Sequence, residues 1–251
     1  MADERVTAAV LVIGDEILSG RTQDTNLNFI AKYLGTFGVD LAEARVVGDI
    51  KAEIITALNA LRARYDYVIT TGGIGPTHDD ITAECVAEAF GVELHEHPEI
   101  LTMMRERWGA EPNAARRRMA RIPEGGSLVM NPVQGPPGFQ IGNVFVLAGV
   151  PQIMRGMMED VGPRLRTGKV VIVRTVRVEG AGESALAAPL EATAKAHPTL
   201  SIGSYPFFGP DGFGSNLVIR GRDADEVAAV ADELIAVLAD IGAKAITKIE
   251  P

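Results

Sequence analysis

Residues 66–90 read DYVITTGGIGPTHDDITAECVAEAF. The first part, Tyr67-Val68-Ile69-Thr70-Thr71, is β-branched and aromatic and too continuously apolar for a surface strand, so it predicts a buried one. Gly72-Gly73-Ile74-Gly75-Pro76-Thr77 follows, a turn of residues that allow positive φ and close backbone approach. Asp79 and Asp80 then stand at the mouth of a helix whose apolar stripe is Ile81, Cys85, Val86, Ala89 and Phe90. A strand, a glycine turn and a helix start leave backbone N–H groups where an anion can sit. Two carboxylates repel a bare phosphate but accept one that carries a divalent cation. The plainer alternative is that Asp79 or Asp80 caps the helix. Three glycines, three threonines and two carboxylates within residues 70–80 favour a site.

The neighbouring segments extend the pattern. Ala8–Ile13 predicts a buried strand ending at Gly14-Asp15-Glu16, a second strand end with paired acids. Asp24 and Asn26 lead a helix that stops near Gly38; Val39–Val47 is a strand; Ile54, Ile55, Leu58 and Leu61 mark another helix. A third strand, Asn143–Leu147, ends at Ala148-Gly149-Val150-Pro151, with Pro151 suited to a first helical turn. Alternating strands and helices with continuous apolar strands predict an α/β domain with a mainly parallel sheet covered on both faces. Ligands collect beyond the carboxyl ends of such strands.

Between these segments, residues 97–121 read as irregular helix interrupted by Pro112, and Arg116-Arg117-Arg118 as a solvated helix face in preference to a phosphate clamp. The proline-rich stretch Asn131–Phe139 reads as a stiff loop that walls a pocket. From Thr167-Gly168-Lys169 onward the pattern changes. Val170–Val178 alternates like a half-exposed antiparallel strand. Helix 183–196, strands 200–205 and 216–220, helix 225–241 and a closing strand at 245–248 follow. The expected division is 1–168 and 169–251, the second part a small α+β domain.

Composition sets the outer limits. A chain of 251 residues with 47% hydrophobic content and 23% charged residues suits a globular protein. The net charge of −9 argues against a nucleic-acid partner. The N-terminal apolar run is only strand-long and follows acids, so neither leader nor anchor is expected, and the expected location is cytoplasmic. Cys85 is the only cysteine. It excludes an internal disulfide and sits on the apolar stripe as a packing residue.

Three segments, Gly14–Gly20, Thr70–Thr82 and Leu147–Pro151, together resemble the molybdopterin-binding domain of the MoaB/MogA type. Their order, with the loop at Asn131, is similar to the N-terminal part of the CinA (competence/damage-inducible protein A) family. The second part of the chain, with Glu179–Ser184, resembles the small module that follows in CinA. The resemblance implies a three-layer fold and a pocket for a phosphorylated pterin or a nucleotide. It also implies a short form without the C-terminal deamidase domain. Carried onto this chain, Asp15, Glu16, Asp79 and Asp80 are the expected catalytic and metal-ligating residues. Gly14, Asn26, Thr71, Gly72, Gly73, Gly75, Pro76 and Thr77 are expected to bind ligand, as are Gly138, Gly149, Val150 and Pro151. The chain departs from the family pattern at Gln134, Pro136, Ala148 and Ile153, the last where CinA proteins carry an acid.

Three functions follow as expectations. The first is hydrolysis of an ADP-ribose-type nucleoside diphosphate with a divalent metal (Mg, Mn or Co). The second is adenylyl transfer to molybdopterin, and the third a non-catalytic module that binds a pterin or nucleotide. The expected partner is a small-molecule nucleotide or pterin phosphate, with no nucleic acid, no membrane, and a homo-oligomer (dimer or trimer). His78 is a weak candidate for a general base.

Overall fold

The computed structural model describes residues 5–133, 135–209, 212–239 and 241–249. The chain divides into two compact units, 1–169 and 170–251.

In the first unit, β1 (Val6–Ile13) leads through the one-turn helix α1 (Asp15–Leu18) and α2 (Asn26–Thr36) to β2 (Val39–Val47). Next come α3 (Lys51–Arg64), β3 (Tyr67–Thr71), α4 (Thr82–Phe90), β4 (Leu94–Glu96), α5 (Pro98–Trp108), α6 (Ala114–Arg118) and β5 (Arg121–Pro123). The unit ends with β6 (Ser127–Val129), β7 (Gly138–Ile141), β8 (Val144–Leu147) and α7 (Pro151–Val161). Six strands form one sheet in the order β2-β1-β3-β8-β7-β6. The first four are parallel, and β7 and β6 join antiparallel at one edge. No helix among the described residues is long and apolar enough to cross a membrane.

The continuous apolar strands are explained by two cores, one on each face of the sheet. Leu11, Ile13, Val68, Val144 and Val146 pack with Ile54, Leu58 and Leu61 of α3 and Cys85 and Val86 of α4. Their strand neighbours Val10, Val12, Ile69, Phe145 and Leu147 point the other way, onto Ile30 and Leu34 of α2 and Met154, Met157 and Met158 of α7. Successive side chains leave a strand on opposite faces, so a strand buried on both must be apolar throughout. Each fully buried aliphatic chain contributes about 1.5–3 kcal/mol.

Three local readings are corrected. The acids after β1 begin a helical turn of their own instead of ending a strand. Helix α4 starts at Thr82, with Ile81 as its cap and no side-chain capping bond, so neither Asp79 nor Asp80 caps it. The stretch expected as loop to Phe139 turns into strand at Gly138. Gln134 lies outside the described residues.

The second unit comprises β9 (Ile172–Glu179), α8 (Glu183–Ala196), β10 (Ser201–Gly209), β11 (Gly212–Gly221), α9 (Ala224–Val237) and β12 (Ala245–Ile249). Its antiparallel sheet runs β10-β11-β9-β12. The inward residues Val176, Val178, Leu217 and Ile219 meet Leu186 of α8 and Val227, Val230 and Leu234 of α9. The Asp223 carboxylate caps α9, accepting from the amides of Asp225 and Glu226 at 2.9 and 3.0 Å.

Candidate functional site

Three strands of the first unit end level with one another. Val12 stands beside Thr71, and Thr71 beside Leu147. The residues that follow therefore meet. A Cβ on Gly72, whose φ is +102°, would lie 2.1 Å from the carbonyl oxygen of Ile13. A Cβ on Gly149 would lie 3.3 Å from the Gly72 Cα. Only a residue without a side chain permits this approach at Gly72. Thr82 then fastens the turn, its hydroxyl donating to Gly72 O at 2.9 Å and its amide to Gly73 O at 3.0 Å.

Beyond these ends lies a cavity of about 470 Å³, within the ordinary range for small-ligand pockets. The turn Gly72–Gly75 lines it from one strand end, and Ala148, Gly149, Val150 and Pro151 from another. Glu16 and Thr22 approach from the α1 side, and Asp80 from beyond the glycine turn. Ile153 and Met157 of α7, Met119, and Gly135 and Pro136 complete the wall. Pro151 occupies the first turn of α7, whose N-terminus thus opens on the cavity with no side-chain cap. That end carries the positive pole of the helix and unpaired amides.

The four acids separate into two pairs. Glu16 and Asp80 line the cavity. Asp80 is held in place by Thr77, whose amide and hydroxyl donate to Asp80 Oδ2 at 2.8 and 2.5 Å. Its carboxylate fills the space a Cβ on Gly75 would occupy, 2.6 Å away. Asp15 is instead engaged with the loop after β2: its amide donates to Asp49 Oδ2 at 3.0 Å, and the Asp49 amide donates to Asp15 Oδ1 at 3.3 Å. Asp79 does not line the cavity, its side chain is 59% exposed, and His78 Nδ1 lies 3.9 Å from its Oδ1. His78 is almost fully exposed, which gives it no position from which to act as a base.

Among the remaining candidates, Gly72, Gly73, Gly75, Gly149, Val150 and Pro151 line the cavity, while Gly14, Thr71, Pro76, Thr77 and Gly138 do not. Thr77 acts through Asp80. Gly138 is a packing residue, where a Cβ would stand 2.3 Å from Val146 O. Asn26 is buried and donates its side-chain amide to Gly149 O at 2.8 Å, while its Oδ1 is buried without a partner. Thr22 and Met119 line the cavity although neither was expected to. Thr22 follows Gly20 in a segment with no periodicity, and Met119 follows the arginine cluster. Neither carries a local signal.

The arginine cluster lies on a helix with no buried residue, as expected of a solvated face, and its cations are nevertheless partnered. Arg116 lies over the Trp108 ring at 4.4 Å, Arg117 pairs with Glu96, and Arg118 Nη2 donates to Asp80 O at 3.4 Å. The Arg118 guanidinium thus touches the main chain behind the cavity while the lining itself carries no Lys or Arg.

Two carboxylates in a lining rich in glycine amides fit a particular kind of cation site. Among the described residues no three His, Cys, Asp or Glu side chains gather to hold an ion unaided. Magnesium is commonly bound by one or two carboxylates, with substrate phosphate and water supplying the rest. The donor set therefore fits a cation that arrives with a phosphate ligand. Glu16 and Asp80 would hold it.

Residues 9–167 match the family described as the probable molybdopterin binding domain, and residues 171–245 match the FAD synthase middle domain. The crystal structure of the protein CinA from Thermoplasma acidophilum superposes with a TM-score of 0.60 and 34% identity, covering 64% of this chain and 98% of that one. The chain belongs to the CinA family. A CinA-like protein of Myxococcus xanthus is 34% identical over 209 residues, 77% of this chain and 50% of its own length. One from Gemmatimonas aurantiaca is 33% identical over 90% of this chain and 56% of its own. The chain thus spans about half the length of these CinA-like relatives. Its first unit has the MoaB/MogA-like α/β fold of a molybdopterin-binding domain.

Proposed function

We propose that the cavity binds a nucleoside diphosphate ester with a divalent cation and hydrolyses the diphosphate bridge, with ADP-ribose as the type of substrate. The observation that carries this reading is that Glu16 and Asp80 share one cavity with the glycine turn and the N-terminus of α7. The amide of Gly72 is committed to Leu147 O at 3.2 Å. Phosphate oxygens would therefore be bound by amides of Gly73–Gly75 and of the first turn of α7. A divalent ion supplies charge neutralisation and polarises a phosphoryl oxygen when bound. The Glu16 carboxylate oxygen that the cation does not engage would orient a water molecule and take its proton as the water oxygen attacks phosphorus. The bridging P–O bond breaks, and ADP-ribose yields AMP and ribose 5-phosphate. Asp80, fixed by Thr77, holds its carboxylate ready without reorganisation.

The family match over residues 9–167 favours a second reading, nucleotidyl transfer to a pterin phosphate in place of water. One experiment separates the two. The purified protein is incubated with ADP-ribose, with and without Mg²⁺, Mn²⁺ or Co²⁺, and AMP is followed by chromatography. Metal-dependent AMP release supports hydrolysis. No release with any of the three ions overturns it and leaves pterin-phosphate binding as the reading to test by calorimetry.

A further inference from the structure

The second unit carries a cavity of its own, of about 210 Å³, at the end of the β10–β11 hairpin. Three rings and three charges line it: Phe207, Phe208 and Phe213 from the hairpin, Arg177 and Glu179 from β9, and Lys244 from the segment before β12. The backbone brings them together. Gly214 has no side chain in the path of the Phe207 ring, whose Cζ would stand 2.8 Å from a Cβ there. Phe207 thereby reaches the Arg177 guanidinium, which lies 3.6 Å from the ring centroid. Gly180, at φ +77°, lets Lys244 come close, since a Cβ on it would lie 3.0 Å from the Lys244 Cβ. The Lys244 amide donates to Glu179 O at 2.8 Å, and the Gly180 amide to Phe213 O at 2.8 Å. The hairpin, β9 and the approach to β12 are thus tied around the cavity.

We infer that this cavity binds a small aromatic monocarboxylate, one ring with an acid on a short arm. Phe208 is 84% exposed and Phe213 45%. Two large rings left in water beside a concavity are apolar surface that a third ring would cover. Glu179 accepts from Arg177 Nε at 2.8 Å, so those two charges cancel. Among the described residues Lys244 has no carboxylate partner. The lining therefore carries one uncompensated positive charge. A cluster of aromatic rings takes a cationic ligand when the rings are free. Here Arg177 already lies over Phe207, and Lys244 repels a second cation. A phosphate dianion would meet one free cation and no residue of a helix start in the lining. One carboxylate matches one ammonium, and such a charge-assisted bond is roughly twice as strong as a neutral one. At about 210 Å³ the cavity is smaller than pockets for drug-sized ligands, which limits the ligand to a single ring. The site lies wholly in the second unit and does not depend on the hydrolase reading.

The test is a titration of the isotope-labelled full chain with phenylpropionate, without divalent metal, followed through the backbone amide signals of Gly180 and Phe213. Phenylpropionamide keeps the ring and loses the charge; hexanoate keeps the charge and loses the ring. Phenylpropionate should shift both signals to saturation, and each control should bind at least about tenfold more weakly, which is about 1.4 kcal/mol. Lys244→Gln and Phe208→Ala should each weaken phenylpropionate by about tenfold, while Lys244→Arg, which keeps the charge, should retain binding. Both side chains are exposed, so neither change puts the fold at risk. Shifts that never saturate, or that fall only in the first unit, would overturn the site. Equal binding of phenylpropionamide or hexanoate would overturn the ligand class. Unchanged affinity in Lys244→Gln or Phe208→Ala would overturn the site as well.

Discussion

The Cα of Gly72 lies so close to the carbonyl of Ile13 that an added methyl group would stand 2.1 Å from its oxygen. This contact joins the ends of β1 and β3 directly under the cavity. Gly72→Ala must displace one strand end and force a side chain into φ +102°. A strained residue of this kind costs about 1–3 kcal/mol before any clash is counted. The expected result is a loss of at least about 2 kcal/mol in urea denaturation, together with loss of ligand binding. Wild-type stability would show that the strand ends part without cost.

Glu16→Gln and Asp80→Asn should each abolish metal-dependent hydrolysis while leaving the thermal transition nearly unchanged. Both line the cavity, and neither charge is needed to hold a core. Asp79→Asn and Asp15→Asn should retain most of the activity, since one carboxylate is turned to solvent and the other to Asp49. Rates with the metal varied check this; equal loss in all four variants would remove the distinction between the pairs.

Ile153 lines the same cavity as Glu16 and Asp80. Ile153→Glu supplies a third carboxylate beside Glu16 and Asp80. The metal concentration for half-maximal activity should fall by about tenfold, equivalent to about 1.4 kcal/mol of added ion affinity. An unchanged metal requirement would show that the position does not face the ion.

Asp66 anchors the start of β3 to β1. Its Oδ2 accepts from the Thr7 amide at 2.8 Å and the Thr7 hydroxyl at 2.9 Å, and Arg166 reaches its Oδ1 at 2.9 Å. Burial pushes its pKa up, but the two Thr7 bonds and the Arg166 charge outweigh this and hold it below the ordinary value. Its folded pKa is the lower one, so its contribution is present above the unfolded value of about 3.9 and fades as pH falls through the folded value. Asp66→Asn should cost about 1–2 kcal/mol at pH 7, and the gap from wild type should close in acid. A gap that stays constant down to the acid limit would contradict this.

The two cores of the first unit draw on residues 6–165, and the core of the second on residues 172–246. A fragment of residues 1–169 should therefore keep a cooperative melt of its own. A fragment that is unfolded at every temperature would show that the units share their stability.

The sequence announced the central sheet because strands buried on two faces have no polar alternation to confuse with a surface helix. It did not announce β4, β5 and β6, which are three residues each and too short to display a period. The glycine-bearing strand ends were readable because close backbone approach admits little else. The directions taken by adjacent acids were not. Asp79 and Asp80 follow a turn set by the Thr77 hydroxyl, a local hydrogen bond that competes with helix capping. Thr22 and Met119 reach the cavity from segments distant in sequence and without pattern.

The place of β8 has a consequence for how the molecule is made. It lies between β3 and β7 in the middle of the sheet, yet it is the last strand of the first unit to be synthesised. Until Leu147 emerges, β3 has no neighbour on one side and the third wall of the cavity does not exist. Pairings between segments some 75 residues apart, as from Val68 to Val144, close large loops and form slowly. An open strand edge in the growing chain is a template for mispairing. Nascent chains halted before residue 144 should be cut readily by protease, and those halted well beyond 165 should resist it. The binding site would then be present only in chains whose first unit is finished.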